Sequence, residues 1–177
     1  MRGGTFARVA LAAVVAAAGL ACRDRPRLDR PQAGLVATNL DVAPDFSLTD
    51  LSGRTLHLAA YRGKVVLLDF WATWCAPCLE EMPQFVKLQN KYREAGLEIV
   101  GISVDDQEAP VREFSRMHRI NFPIAMGNAT LAERYGGVLG VPIAFLIDRE
   151  GRIRHKHSGQ TDASVFEHEV AELVAGK

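Results

Sequence analysis

The first apolar stretch of the chain, Val9 to Leu20, is an unbroken block rich in alanine and valine. It is too short to span a bilayer as a helix of about 20 residues. Arg23 to Asp41 follows with four arginines, Pro26, Pro31 and Gly34 and little apolar pattern, which predicts a linker. The pattern changes at Pro44. Pro44-Asp45-Phe46-Ser47-Leu48 and Thr55-Leu56-His57-Leu58 alternate around Asp50-Leu51-Ser52-Gly53, which predicts a short antiparallel hairpin. Val65 to Trp71 is continuously apolar except for Asp69, as expected of a central strand covered on both faces. From Cys75 to Ala95, Leu79, Met82, Phe85, Val86, Leu88 and Tyr92 keep helical spacing; Pro83 predicts a kink and Gly96 a C-cap. Leu97 to Val104 reads as a second, parallel strand. Asp105 to His118 reads as a helix with Pro110 in its first turn, Asn121 to Ala125 as a short extended piece, and Asn128 to Tyr135 as a helix capped by its asparagine. Another apolar strand follows Pro142, then a turn at Arg149-Glu150-Gly151-Arg152, a last strand from Ile153 to Ser158, and a closing helix from Thr161 to Val174 with Thr161 as its cap. This order predicts an α/β fold, a central mixed sheet flanked by helices and preceded by a hairpin.

Composition refines the picture at two points. Zero formal net charge offers no basic excess for nucleic acid, and no acidic run argues for disorder. At the N-terminus, Arg2 and Arg8 precede the apolar block, and Gly19-Leu20-Ala21 supplies small residues for a cut, so residues 1–21 read as an export signal. Its removal takes two of the 21 basic residues and no acid, leaving 19 against 21. The expected organisation is a signal over 1–21, a membrane-proximal tether over 22–41 and one domain over 42–177. Cys22 at the cut resembles the lipidated cysteine of a bacterial lipobox, with Gly19 where leucine is usual. Lipidation would anchor the chain to the membrane; ordinary cleavage after Ala21 and an uncleaved anchor are the alternatives. Each places the domain outside the cytoplasm, where disulfides persist. The tether arginines read as a solvated segment, with contact to anionic headgroups as the alternative.

The chemistry centres on Trp74-Cys75-Ala76-Pro77-Cys78. A C-x-x-C between a strand and a helix reads as a redox dithiol. Cys75 falls at the helix N-terminus, where unpaired N–H groups and a partial positive charge stabilise a thiolate. Pro77 suits a first turn that needs no N–H there. Cys75 is therefore the expected nucleophile, and Cys78, one turn in, the resolving thiol. Half of a zinc site is the alternative, but zinc takes about four ligands and the sequence supplies no second pair. Asp69 is costly on a buried strand unless paired or protonated, and burial should raise its pKa. His155 and His157 share a strand face. Without a visible third ligand they read as an exposed edge rather than a metal site. No metal or organic cofactor is expected.

Phe70-Trp71-Ala72-Thr73-Trp74-Cys75-Ala76-Pro77-Cys78 with Glu81-Met82-Pro83, and the later Gly140-Val141-Pro142, resemble the membrane-anchored, extracytoplasmic thioredoxin-like proteins of the TlpA/ResA group. The resemblance runs from about Pro44 to the C-terminus. It implies a thioredoxin-like fold with the added hairpin and a strand–helix insertion. By resemblance, Asp69 relays a proton as Cys78 attacks, Glu81 tunes the thiols, and Trp71 and Trp74 shield the sulfurs. Pro142 is implied to be cis and to face the cysteines, leaving Val141 free to pair with an incoming peptide; Trp74, Val141 and Pro142 are then substrate-binding residues. The implied activity is disulfide reduction in exported proteins, apocytochrome c among them, by a monomer recharged by a membrane thiol-electron donor. A dithiol oxidase or isomerase, a peroxidase, and a non-catalytic apocytochrome- or haem-binding protein are the other readings. Two departures, Ala144 where threonine is frequent and a segment from Tyr135 to Pro142 one residue longer than usual, lie beside the implied substrate groove.

Overall fold

The computed structural model describes residues 42–176; the expected signal, tether and Cys22 lie outside the described residues. A two-stranded antiparallel hairpin, β1 (Ser47–Thr49) and β2 (Thr55–His57), leads through a 3₁₀ turn at Leu58–Tyr61 into the main sheet. That sheet comprises β3 (Val65–Trp71), β4 (Leu97–Ser103), β5 (Ile124–Met126), β6 (Ile143–Ile147) and β7 (Ile153–Ser158), in the order β5-β4-β3-β6-β7. The β3, β4 and β5 strands are parallel, while β6 and β7 pair antiparallel. Helices α1 (Ala76–Tyr92), α2 (Glu108–Met117), α3 (Ala129–Arg134) and α4 (Ala163–Val174) supply the layers. The mixed sheet and the hairpin match the expectation.

All seven residues of β3 are buried, because both faces of this strand are covered. Val65, Leu67 and Trp71 meet Met82 and Phe85 of α1, Phe114 of α2, and Phe166 and Val170 of α4. Val66, Leu68 and Phe70 face the hairpin and α3 through Phe46, Leu56, Leu131 and Tyr135. Each such apolar side chain contributes about 1.5–3 kcal/mol, so the strand carrying Asp69 into the site is held on both sides. At the opposite end of β3, Arg149 donates to the carbonyls of Gly63 (2.7 Å), Ala95 (3.1 Å) and Val174 (3.0 Å). One planar fork thus ties three chain segments together.

The element ends correct the sequence reading. Helix α1 passes through Pro83 as one helix and stops at Tyr92, three residues early, with Gly96 in the turn beyond at φ +99°. Helix α2 starts at Glu108 because the Asp105 carboxylate is engaged elsewhere. Asn128 does cap α3, accepting from the Leu131 N–H. Thr161 does not cap α4: the cap position is Asp162, whose side chain makes no capping bond. The Thr161 N–H donates to the Glu81 carboxylate instead.

Candidate active site

The strand-to-helix junction forms as the sequence suggests. Cys75 is extended (φ −93°, ψ 98°) and occupies the N-cap of α1, with Pro77 in the first turn. Its Sγ lies 3.3 Å from the N–H of Cys78. That donor and the helix dipole point at Sγ, where a thiolate would carry its charge. Cys75 and Cys78 are joined in a disulfide and both are buried, at 5% and 1% exposure. Access is thus restricted, and least so at Cys75, the sulfur nearer the surface.

The loop into the junction is anchored from β4. Asp105 accepts from the Thr73 N–H (3.0 Å), the Thr73 hydroxyl (2.5 Å) and the Ser103 hydroxyl (2.8 Å). The sequence reading placed Asp105 at a helix start; the Ser-x-Asp spacing after a strand was the one available signal.

The cis peptide bond falls between Val141 and Pro142, and the Val141 carbonyl oxygen is 3.5 Å from Cys75 Sγ. The β6 ladder begins only at Ile143, so Val141 lies outside it. Trp74 is 68% exposed beside Cys75. Trp71 is fully buried and tilts against Phe114 at 5.2 Å. Trp71 is therefore a core residue, packed in the same apolar cluster as Cys75 and Cys78, and it is Trp74 that offers an exposed surface beside the sulfurs. An alternating strand sends residue 71 into the core, whereas residue 74 has left the strand.

Two carboxylates lie beneath this surface. Asp69 pairs in register with Gly101 on one side and Ala144 on the other. It is 1% exposed, and its Oδ1 has no hydrogen-bond partner. Burial pushes its pKa well above the ordinary carboxylate value, and the nearby charge of Glu81 pushes the same way. Glu81 is 2% exposed. Burial raises its pKa to about 7, against the opposing pull of the Thr161 N–H, which donates to Oε1 at 2.8 Å. Glu80 points outward and accepts from the Gln160 side chain (2.6 Å). The loop after β7 is thereby held to α1 by adjacent glutamates, a connection that separation along the chain concealed.

His155 and His157 do share a face, but not a bare edge. Glu169 of α4 reaches both, at 3.2 Å from His155 Nδ1 and 2.7 Å from His157 Nε2, and His157 packs on Phe166. Among the described residues, no group of three or more His, Cys, Asp or Glu side chains is arranged to hold a metal.

Comparison with known proteins gives a consistent result. The AhpC/TSA family model matches residues 40–156. A thiol-disulfide oxidoreductase ResA of Bacillus thuringiensis subsp. konkukian is 37% identical over 118 residues, covering 67% of this chain and 68% of the relative. Thioredoxin-like protein YneN of Bacillus subtilis is 40% identical over 120 residues, covering 66% and 69%. A crystal structure of a thiol:disulfide interchange protein of the thioredoxin family from Chlorobium tepidum superposes with a TM-score of 0.72 at 29% identity, covering 77% of this chain and 98% of that one. With its paired cysteines at a strand-to-helix junction and these relatives, the chain belongs to the AhpC/TSA family of thioredoxin-like proteins and is a thiol-disulfide oxidoreductase.

Proposed function

We propose that the protein reduces disulfides in exported proteins, apocytochrome c among the candidates, outside the cytoplasm. The observation that carries this reading is one junction holding a dithiol pair at a helix N-terminus, a Val141–Pro142 backbone against Cys75, and two protonatable carboxylates with raised pKa values. Cys75 thiolate attacks one substrate sulfur, breaking the substrate disulfide and forming a mixed disulfide. The departing substrate thiolate takes a proton. Cys78 gives up its proton and attacks Cys75 Sγ, releasing the second substrate thiolate and leaving the Cys75–Cys78 disulfide. Asp69 and Glu81 accept and return the proton, since each can hold one at a pH where an ordinary carboxylate cannot. Trp74, Val141 and Pro142 receive the substrate. Two electrons from a membrane thiol donor restore the dithiol. The export signal, and an anchor through Cys22, supply the location. Among the described residues no helix is long and apolar enough to cross a membrane.

The test is Cys78→Ser in cells, followed by capture of Cys75. Mixed disulfides with exported proteins support the reading, and a variant that traps none favours a non-catalytic binding protein. Direction is settled by reduction potential. A value near about −120 mV, the range of strong dithiol oxidants, would overturn the reductase assignment.

A further inference from the structure

Beside the cysteines lies a groove of about 370 Å³ that includes Leu139, Val141, Pro142, Lys156 and Ser158 in its lining. Leu139 is 99% exposed. A Cβ added at Gly137, Gly140 or Gly159 would meet nothing within 4 Å, so the space above this backbone is open. Lys156 is the single ionisable side chain of the lining. Its Nζ stands 5.3 Å from the centre of the Phe145 ring, and it has no carboxylate partner among the described residues. Glu80 of α1 is tied to Gln160 in the loop after β7 and does not line the groove. Arg134 and Glu133 of α3 are exposed and do not line the groove.

The groove is continuous with the site, because Val141 belongs to both: its carbonyl oxygen is 3.5 Å from Cys75 Sγ. A substrate sulfur bonded to Cys75 therefore leaves its neighbouring residues at the groove mouth. Backbone outside the β6 ladder can pair with an extended peptide. At about 3.3 Å per residue, two residues span about 7 Å, close to the edge of a cube of this volume. The occupant must then cover an exposed leucine and meet an ammonium that has no carboxylate partner among the described residues.

We propose that this groove selects the substrate: it takes a disulfide-bearing polypeptide with an apolar residue and an acidic residue within two positions of its reactive cysteine, Leu139 contacting the first and Lys156 the second. The inference rests on the exchange activity at Cys75 proposed above. Bond and electron changes are those of that exchange, the substrate disulfide being reduced and the dithiol oxidised. The groove changes only which polypeptide reaches Cys75.

The experiment uses the reduced protein and symmetric disulfide dimers of single-cysteine peptides, so that the reactive sulfur is unambiguous. One peptide carries Leu and Glu on each side of the cysteine, the other Leu and Lys, with hydroxyethyl disulfide as a third substrate. The quantity read is the ratio of exchange rates, Glu peptide over Lys peptide. An exposed charge pair is worth about threefold. With attraction and repulsion each worth about threefold, the ratio should be about ten in wild type, about one in Lys156→Gln and about one tenth in Lys156→Glu. Raising salt to about 1 M should flatten it. Leu139→Ser should slow both peptides relative to hydroxyethyl disulfide. A ratio that is the same in wild type, K156Q and K156E, while hydroxyethyl disulfide is turned over, overturns this inference alone. Inertness of the wild type toward all three substrates overturns the exchange reading and this inference with it.

Discussion

Replacing Glu81 with glutamine isolates the energetic consequence of burying an acid at the site. Glutamine keeps the size and an oxygen that can accept from the Thr161 N–H, so only the charge is lost. In the wild type the Glu81 carboxyl binds its proton with a pKa of about 7 when folded, against 4.5 for the model carboxyl. Below about pH 4.5 both states are protonated and the group contributes nothing to stability. Between there and pH 7 the folded protein holds a proton that the unfolded chain has released, so stability falls as pH rises. Above pH 7 both states are ionised and the loss is complete. At about 1.4 kcal/mol for each tenfold change in proton affinity, the loss is about 3 kcal/mol. Asp69, raised in the same direction, adds to the slope. The assay is urea unfolding of the oxidised protein, wild type and Glu81→Gln, from pH 4 to pH 8.5. The two should have similar stability at pH 4, and the variant should be the more stable by about 3 kcal/mol at pH 8.5. Parallel stability curves across the whole range would refute the claim that Glu81 is held as an acid by its surroundings.

Three further outcomes follow from individual contacts. Trp74→Ala removes a side chain that is 68% exposed. Stability should move by no more than about 0.5 kcal/mol, while KM for a peptide disulfide rises about fivefold; a loss confined to kcat would argue against a docking role. Asp105→Ala frees Thr73 at the entrance to the cysteine loop. Stability should fall by about 2 kcal/mol, and hydrogen exchange at the Thr73 amide should quicken in parallel. Gln89→Leu strands the buried carbonyl of Leu97 and N–H of Ile99, which Gln89 now satisfies. A cost of about 2–4 kcal/mol is expected by urea unfolding, and a neutral result would show that water replaces both contacts.

The sequence by itself located the elements and the paired cysteines. Hydrophobic periodicity is local, so it located β3 and α1 without knowledge of partners. The C-x-x-C spacing is likewise local: three residues at a helix start bring two sulfurs together wherever the helix packs. The resemblance to a known family added the cis Pro142 and a role for Asp69, and these residues fall in the region of Cys75 and Glu81. Tertiary structure decided everything that depends on contact between distant segments. Trp71 and Trp74 look equivalent in the chain, yet one is core and the other surface, because the strand ends between them. Glu81 and Thr161 are 80 residues apart and meet only because the loop after β7 folds back on α1. Glu169 reaches His155 and His157 for the same reason, turning a supposed edge pair into a clasp between β7 and α4. A residue's own propensities are written in its neighbours along the chain. Its desolvation and its hydrogen-bond partners are set by which surfaces pack together, and so appear only once the sheet and helices are assembled.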